Sequence, residues 1–471
     1  MSLGHDFGMI GLGTMGRNLV WNLADHGYSV AGLGRSQDRV NQLHEQSGDK
    51  DVHGYVDPKA FVHNLRRPRA IMLLVPAGSP VDDVIQELLP LLDQGDLIID
   101  GGNSYYKDTE RRVKDLEARK IGFFGMGVSG GAEGARHGPS MMPGGTEALW
   151  ERVREMLESV AAKAEEDGGP CVALVGPGGS GHYVKTVHNG IEYGIMQQIA
   201  EVYDVLKRGM GQSNSQIADT FQAWDEGVLR SFLAHITVDV LRRKDPDTGK
   251  DLVDLISDKA KQKGTGKWTS QDAMDLGVPI PTIDAAVAAR EMSGLKDERV
   301  KAELMYKVES PQLTADWLPA DLLRDALLCA VILTYTQGFA QLGAASQEYG
   351  YNIKLDLVAR IWRAGCIIRS TFLQQIMDAY GRDAALPNLL LDPKVSIQVS
   401  GLQGALRNVV CAVQGAGLPV PALSASLSYF DGFRSGRLPA NLIQGQRDYF
   451  GSHTYERVDK PGVFHSDWES K

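Results

Sequence analysis

The sequence has few cysteines, no excess of positive charge and no apolar run that suggests a bilayer span. Four cysteines in 471 residues, with no Cys-x-x-Cys spacing, argue against a disulfide framework and favour reduced thiols. The formal net charge of −10 excludes a general nucleic-acid-binding surface. A signal-peptide pattern is also missing. We therefore expect a cytoplasmic protein that binds neither nucleic acid nor membrane.

The periodicity of the chain changes once, close to Pro177. Before it, apolar strands alternate with helical patterns, which predicts a doubly wound parallel sheet of the Rossmann type. The predicted strands are 7–10, 28–33, 70–75, 96–100, 123–128 and 172–175. From Ser180 onward the periodicity is helical, with long helical patterns over 182–208, 215–241 and 322–349. We expect a dinucleotide-binding α/β domain over 1–177, a large all-helical substrate and dimerisation domain over 178–434, and an irregular C-terminal tail over 435–471.

A glycine-rich turn follows the first predicted strand directly and precedes a helical pattern. In this setting a Gly-x-Gly-x-x-Gly motif lets backbone N–H groups at a helix N-terminus approach a pyrophosphate. A glycine turn of another α/β protein is the alternative. The predicted cofactor-binding residues of this turn are Gly11, Leu12, Gly13, Thr14, Met15 and Gly16.

The end of the second predicted strand bears on the choice between NAD and NADP. An NAD site usually has Asp or Glu there, whereas this chain has Gly34, Arg35 and Ser36. Arg35 is suited to pair with a 2′-phosphate and Ser36 to donate a hydrogen bond to it, which favours NADP. An exposed loop arginine is the alternative. Ligands of parallel sheets bind at the carboxyl ends of strands, which adds Val75, Pro76, Ala77 and Asn103 to the predicted cofactor residues.

The chemistry is expected on the helix that opens the second domain. Lys185, His188, Asn189 and Glu192 are spaced so that one helix face carries all four, and Tyr193 lies beside them. A lysine and a glutamate that reach one substrate form an acid/base pair if burial moves their pKa values toward neutrality. A solvated polar stripe is the alternative.

Two loops are candidates for holding an anionic substrate. Ser129, Gly130 and Gly131 follow a predicted strand, and their backbone N–H groups suit a carboxylate or a developing oxyanion. Lys263 lies in a glycine-rich basic loop that suits a phosphate, and Arg290 is placed to reach the same anion. A flexible surface loop, an ordinary basic loop and a solvated helix face are the respective alternatives.

Two further features concern the helical part. The segment that starts at Ile217 resembles the segment that starts at Val358, about 140 residues later, which suggests duplication of a helical unit. The tail, which contains Arg447 and His453, loses its periodicity and needs another surface to lie on. A neighbouring subunit is the candidate surface.

Several longer segments carry a resemblance to a known family. They include residues 99–104, 127–131, 142–145, 185–193, 263–269, 365–370 and 446–451. On these segments the chain resembles the decarboxylating 6-phosphogluconate dehydrogenases over nearly its whole length. The resemblance implies NADP-dependent oxidation of 6-phosphogluconate to ribulose 5-phosphate and CO₂ by a homodimer. This chemistry needs no metal, because the ketone formed by oxidation is itself the electron sink for decarboxylation.

The resemblance also implies a role for each matching residue. Lys185 matches the general base that takes the proton of the 3-hydroxyl, and Glu192 matches the acid that protonates the enol. The implied substrate-binding residues are Asn103, Ser129, Gly130, Gly131, His188, Asn189, Tyr193, Lys263, Arg290 and, from the neighbouring subunit, Arg447 and His453. Asn103 matches a position that touches both substrate and cofactor.

The chain departs from the family pattern at Gly34, where Asn is usual, and at Pro76, where Lys is frequent. Its tail after Trp468 is short, so a clamp formed by a longer tail is not expected. The alternative enzyme is another NAD(P)-dependent β-hydroxyacid dehydrogenase of the 3-hydroxyisobutyrate type, which has a shorter chain and no phosphate ligands. An NADP-binding protein without activity is the non-enzyme alternative, although both Lys185 and Glu192 are present.

Overall fold

The N-terminal part of the protein is built on a seven-stranded sheet. The structure is a computed structural model that describes residues 4–45, 47–262, 264–306 and 313–468. The strands are β1 (Phe7–Ile10), β2 (Val30–Leu33), β3 (Val52–Tyr55), β4 (Ala70–Leu73), β5 (Leu97–Asp100), β6 (Gly122–Ser129) and β7 (Ser140–Gly144). They lie in the order β3-β2-β1-β4-β5-β6-β7, parallel except that β7 runs antiparallel to β6. The predicted Rossmann-type, doubly wound sheet is confirmed.

Helices cover both faces of this sheet. They are α1 (Thr14–Asp25), α2 (Gln37–Glu45), α3 (Pro58–His63), α4 (Ser79–Leu88), α5 (Tyr106–Glu117), α6 (Gly131–His137), α7 (Glu147–Glu151) and α8 (Arg154–Val160). Along β4, Ile71 and Leu73 enter one apolar layer and Met72 enters the other. Because alternate side chains point to opposite faces, a strand covered on both sides reads as a continuous apolar run.

The structure corrects three details of the predicted sheet. Strand β3 was not predicted, because its edge position leaves the strand only partly buried. Residues 172–175 do not form a strand; Val172 and the following Gly176 make isolated bridges to Met141 and Gly144 of β7. Strand β7 was missed because it contains Pro143, and an edge strand tolerates proline because one side of it needs no partner.

The second part is helical in the described ranges. Its helices are α9 (Ser180–Asp204), α10 (Asn214–Asp225), α11 (Phe232–Arg242), α12 (Thr265–Leu276), α13 (Pro281–Gly294), α14 (Lys296–Tyr306), α15 (Ala320–Glu348), α16 (Leu355–Ile361), α17 (Phe372–Arg382), α18 (Pro393–Gly415), α19 (Pro421–Phe433) and α20 (Ala440–Gly451). The predicted helix over 215–241 is two helices, α10 and α11. Its break lies at Ser231, whose side chain accepts a hydrogen bond from the Ala234 N–H and caps α11.

The suggested duplication has a structural counterpart. Helices α9, α10, α11 and α13 are followed in the same order by α15, α16, α17 and α19, and the starts of paired helices are about 140 residues apart. The two copies meet at a backbone bridge between Ser231 and Ser370.

Helix α15 is long and apolar enough to meet the length and composition test for a bilayer span, which corrects the expectation of no such run. In the structure, 89% of its most apolar window is buried, and its neighbours include α9, α18 and α19. Enclosure by other helices of the chain accounts for its apolar surface, so α15 is the central helix of the helical core.

The tail is more regular than predicted. Helix α20 is followed by an antiparallel hairpin of β8 (Tyr455–Glu456) and β9 (Val463–Phe464). The buried carboxylate of Asp448 accepts hydrogen bonds from the Thr454 N–H (2.8 Å), His465 Nδ1 (2.9 Å) and Trp468 Nε1 (2.8 Å). A buried polar centre organises this segment, and apolar periodicity could not reveal it.

Candidate active site

The glycine turn after β1 forms a cradle at the N-terminus of α1. Gly11 has φ +102°, and a Cβ there would clash with the Leu74 carbonyl. A Cβ at Gly16 would clash with the Gly11 carbonyl, so α1 packs close against the turn. No side chain caps α1 at Gly13, and Thr14 is exposed, which leaves the first N–H groups of the helix available to an anion. These residues fit a dinucleotide pyrophosphate.

The other predicted cofactor residues lie at the same edge of the sheet. Residues 34–36 follow β2, residues 75–77 follow β4 and Asn103 follows β5. Arg35, Ser36, Pro76, Ala77 and Asn103 are exposed there.

Sequence reasoning missed three arginines near these loops. Arg17 and Arg39 both donate to the Gln42 side chain, which places two more guanidinium groups near the end of β2. Buried Arg112 donates to Asp82 (2.8 Å) and to the Gly78 carbonyl (3.0 Å) and lies 3.5 Å from Asp100. Asp100 in turn accepts from Ser104, so Arg112 joins the loops after β4 and β5. No local sequence pattern indicated this arrangement, because Arg17 and Arg112 lie far from their partners along the chain.

Small residues bring α9 onto the carboxyl edge of the sheet. A Cβ at Gly127 of β6 would overlap the Lys185 side chain, and one at Gly181 would clash with the Gly125 and Met142 carbonyls. Helix α9 therefore lies directly on β6 and β7. This contact carries Lys185 to the edge where the cofactor loops gather.

The polar face of α9 is buried, so the solvated-stripe alternative is wrong. Lys185, His188 and Asn189 are 5%, 0% and 8% exposed. Lys185 Nζ lies 3.2 Å from His188 Nδ1, and His188 Nε2 lies 3.1 Å from Ser129 Oγ. The Asn189 side-chain oxygen is 3.2 Å from His188 Nδ1, and Glu192 Oε2 is 3.8 Å from it. The face is one connected polar network that reaches the loop after β6.

Burial shifts the ionisation of this network toward neutral groups. It lowers the pKa of Lys185 to about 8, although the Glu192 charge opposes the shift. It raises the pKa of Glu192, against the charges of Lys185 and Arg290. Burial and the nearby Lys185 charge hold the pKa of His188 well below its usual value. In the tautomer that donates from Nε2 to Ser129, His188 Nδ1 accepts from Lys185, whereas in the other tautomer Nδ1 donates to the Asn189 oxygen.

The turn at the end of β6 is held by packing at Ser129 and Gly130, whereas Gly131 is exposed. Ser129 is buried, and its hydroxyl also accepts from the Ile367 N–H at 3.4 Å. Gly130 has φ +115° and Gly131 φ +62°, and a Cβ at Gly130 would lie 2.5 Å from the Gly365 carbonyl. The backbone of this turn is therefore held beside His188.

A second anion cradle lies at the other end of the polar face. The Arg290 guanidinium stacks on the Tyr193 ring, 3.4 Å from its centroid. Gly266 packs against the same ring, with α12 beginning after Gly264 and without a side-chain cap. A helix N-terminus beside an arginine suits a phosphate. Lys263 lies outside the described residues.

Four more residues, which the sequence analysis did not identify, connect the Asn103 loop, α9 and α12. Buried Asp272 of α12 accepts hydrogen bonds from the hydroxyls of Tyr106 (2.5 Å), Tyr183 (2.5 Å) and Tyr349 (2.8 Å). Tyr106 follows the Asn103 loop, and Tyr183 lies on α9 two residues before Lys185. Asp272 thus links both segments to the helix that begins at the phosphate cradle.

The structure does not bring Arg447 and His453 to this site. Both are exposed on the tail. In the described part of the chain, neither makes a hydrogen bond, ion pair or ring contact with α9, and Arg447 donates to Gln444 within α20.

A glycine cradle at the carboxyl edge of a Rossmann-type sheet, with a buried lysine and glutamate beside it, defines a dinucleotide-dependent dehydrogenase. The chain matches two family models, the NAD binding domain of 6-phosphogluconate dehydrogenase over residues 6–176 and the 6-phosphogluconate dehydrogenase C-terminal domain over residues 181–468. The chain belongs to the 6-phosphogluconate dehydrogenase family. Because both parts of the chain match this family, the alternative of a shorter β-hydroxyacid dehydrogenase of the 3-hydroxyisobutyrate type is wrong.

Curated relatives and a solved structure agree with this assignment. The chain is 51% identical to the decarboxylating 6-phosphogluconate dehydrogenase of Synechocystis, with 98% of this chain and 97% of that protein covered. It is 50% identical to the NADP(+)-dependent, decarboxylating enzyme of Bacillus subtilis, with 98% and 99% covered. Its fold matches Plasmodium falciparum 6-phosphogluconate dehydrogenase with a TM-score of 0.94, 41% identity, and 98% and 100% coverage.

Proposed function

We propose that the chain oxidises 6-phosphogluconate with NADP⁺ and releases ribulose 5-phosphate and CO₂. The observation that carries the proposal is the buried Lys185, whose pKa is lowered to about 8 at the carboxyl edge beside the glycine cradle. The names of the relatives support it, since the B. subtilis enzyme is NADP(+)-dependent and the P. falciparum enzyme was studied with NADP+ and with 6-phosphogluconate.

Lys185 is the general base. A pKa of about 8 leaves an appreciable fraction of neutral amine at physiological pH, so Nζ can take the proton of the substrate 3-hydroxyl. NADP⁺, when bound on the glycine cradle, accepts the hydride from C3. Arg35 and Ser36 are the residues placed to read its 2′-phosphate, with Arg17 and Arg39 as further cations.

Glu192 is the general acid of the second step. Loss of CO₂ from the 3-keto acid leaves its electron pair as an enol, because the ketone accepts it. Burial raises the pKa of Glu192, which favours the protonated form that can deliver a proton to the carbon that lost CO₂, C2 of the substrate and C1 of ribulose 5-phosphate. Lys185, now protonated, can return its proton to the ketone oxygen and stabilise the enol.

The remaining residues hold the substrate in one orientation. The predicted carboxylate and hydroxyl ligands are Asn103, Ser129, Gly130, Gly131, His188 and Asn189. The predicted phosphate ligands are Tyr193, Arg290 and Lys263, near the N-terminus of α12. The turn at Ser129–Gly131 lies at one end of the α9 polar face, and the anion cradle of Arg290, Tyr193 and the start of α12 lies at the other end. This arrangement suits an acid that carries a phosphate at its far end.

We further propose a homodimer in which Arg447 and His453 complete the site of the neighbouring subunit. Exposed apolar side chains on the tail support this, since Leu442 is 65% and Phe450 72% exposed. In this scheme 1–177 binds the cofactor, 178–434 forms the substrate and dimer domain, 435–471 reaches the partner, and the enzyme works in the cytoplasm.

An initial-rate assay that follows reduced nicotinamide and CO₂ together tests the reaction. We expect equal amounts of both products with 6-phosphogluconate, and a strong preference for NADP⁺ over NAD⁺. No turnover with either cofactor would overturn the proposal. Equal turnover with NAD⁺ and NADP⁺ would support the proposed reaction. It would refute the proposal that Arg35 and Ser36 are sufficient to select NADP⁺.

Subunit complementation tests the shared site. Lys185→Ala and Arg447→Ala are each expected to be nearly inactive alone. If the chains are mixed during refolding or coexpression, heterodimers gain one site with both residues intact and activity returns. Failure of the mixture to recover activity, with dimers present, would contradict a site completed by the partner.

A further inference from the structure

A second cluster of ionisable side chains lies at the amino-terminal edge of the sheet, opposite the cofactor loops. One ligand atom each of His5, Asp51 and His53 lie within 4.8 Å of one another. The two imidazole centroids are 4.5 Å apart, and Asp51 Oδ1 is 2.8 Å from His53 Nε2. We propose that these three residues bind one divalent transition-metal ion of the zinc type.

The donor set suits that class of ion. Two imidazole nitrogens and one carboxylate oxygen are ligands that Zn²⁺ takes in tetrahedral sites, at about 2.0–2.2 Å. Mg²⁺ and Ca²⁺ prefer oxygen ligands throughout, so they fit less well. In the metal-free chain a proton lies between Asp51 and His53, and the ion would replace that proton. The Tyr55 hydroxyl, 2.9 Å from His5 Nε2, or a water would take the fourth position.

The surroundings orient His5 for this role. His5 Nδ1 lies 2.8 Å from Ser29 Oγ, while Nε2 faces Tyr55. A metal-binding histidine commonly has its other ring nitrogen fixed by a hydrogen bond of this kind. His5 is 8% exposed, so its ring is held by packing as well as by Ser29. The side chains of Asp51 and His53 are more than half exposed, so packing does not hold them and they can turn toward an ion.

The topology explains why the sequence did not reveal the cluster. His5 precedes β1, whereas Asp51 directly precedes the edge strand β3 and His53 lies on it, with β2 between β1 and β3 in the sheet. A bound ion would tie the segment before β1 to this edge strand. Because the cofactor loops lie at the other edge, we expect an effect on stability and none on turnover.

Another histidine in the chain offers a matched control. His235 lies 3.2 Å from Asp225 and 3.9 Å from Asp239, so it has two carboxylates but, among the residues that the structure describes, no second imidazole in a metal-binding group. Its substitution removes an exposed histidine of similar charge environment without touching the proposed site.

The test uses the full chain without a histidine tag, stripped of metal and then given one equivalent of Zn²⁺. After gel filtration, wild type and His235→Ala should retain about one Zn²⁺ per chain with a raised Tm, while His53→Ala and Asp51→Asn should bind at least ten-fold more weakly. Unchanged dehydrogenase activity would show that all variants are folded. No retained Zn²⁺ in wild type, or equal retention in His53→Ala, would overturn the proposal.

Substitution with Co²⁺ identifies the ligands independently. We expect the visible absorption of a tetrahedral ion bound by nitrogen and oxygen, and its loss in His53→Ala. A sulfur-to-cobalt charge-transfer band would instead place the ion on a thiol, of which Cys411 is the exposed one in the described chain. That band, or a visible spectrum unchanged in His53→Ala, would refute the site.

Discussion

The two copies of the helical unit differ in the residues of the long helix that opens each copy. Helix α9 carries the buried polar face of the candidate site. At the matching positions, about 140 residues later, helix α15 has Asp325, Leu328, Cys329 and Ile332 in place of Lys185, His188, Asn189 and Glu192. Helix α9 lies on β6 and β7 at the carboxyl edge, whereas α15 is enclosed by helices. Burying a polar group costs free energy unless a partner in the protein or a ligand satisfies it.

The copies have kept a reciprocal contact that holds them together. Gln337 of α15 accepts from the Thr282 N–H at the start of α13 (3.0 Å). Glu201 of α9 accepts from the Ala422 and Leu423 N–H groups at the start of α19 (2.8 and 2.9 Å). Each long helix thus caps a helix of the other copy, and these contacts hold the two copies together.

The largest expected effect distinguishes the polar face of α9 from the matching face of α15. Lys185→Ala should lower kcat by about 10³–10⁴-fold, because it removes the amine that takes the hydroxyl proton. Asp325→Ala, at the matching position of α15, should leave kcat within about two-fold. Steady-state kinetics and 6-phosphogluconate binding by calorimetry check both variants. Near wild-type turnover in Lys185→Ala would contradict the assignment of the base.

A second prediction concerns the effect of the buried polar face on the free energy of unfolding. The folded-state pKa of Lys185 is about 8 against an ordinary 10.5, so at pH 7 the fold must bury an ammonium ion. Between about pH 8 and 10.5 the unfolded chain binds more protons, and stability rises with pH. Lys185→Met should therefore raise the free energy of unfolding by about 1–3 kcal/mol at pH 7, and the gain should shrink above pH 8. Urea unfolding at pH 7 and pH 9.5 measures this, and a loss of stability at pH 7 would refute it.

A third prediction compares the two helix caps. Burial raises the pKa of Glu201 to about 7, so between about pH 4.5 and 7 the folded state keeps a proton that the unfolded chain has lost. Stability therefore falls as pH rises through this window, by about 1–2 kcal/mol. Glu201→Gln should remove that pH dependence, whereas Gln337→Glu should add a similar one at the other cap. Thermal unfolding between pH 5 and 8 measures this pH dependence. If Tm changes with pH in the same way in wild type and in both variants, the interpretation is contradicted.

The smallest effect concerns Asp272, which belongs to the first copy alone. Tyr106→Phe removes the hydrogen bond between the Asn103 segment and α12, and should raise KM for 6-phosphogluconate about three- to ten-fold with little change in kcat. Tyr349→Phe removes a bond to the same carboxylate from a residue farther from the site loops. It should cost similar stability, about 1 kcal/mol, with KM nearly unchanged. Equal KM values in both variants would show a merely structural cluster.

The sequence predicted what local patterns encode. The glycine turn, the apolar strands and the spacing of Lys185 to Glu192 depend on near neighbours, and the structure confirms the sheet and the burial of that face. Features made by distant segments were missed, because no local period marks them. These are the edge strand β3, the Asp448 centre of the tail, and the joining of Tyr106 to Asp272. The roles of Arg447 and His453 stay predictions, since one chain does not bring them to the site.

The pH dependence of kcat/KM tests the central claim most directly, since it reports ionisation of the free enzyme. We expect log kcat/KM with NADP⁺ to rise with unit slope between pH 6.5 and about 8 and then level off, as neutral Lys185 becomes dominant. Asp325→Ala should give the same profile. A rate independent of pH from 6.5 to 9.5, or one that rises until the ordinary lysine pKa near 10.5, would contradict a buried Lys185 as the base.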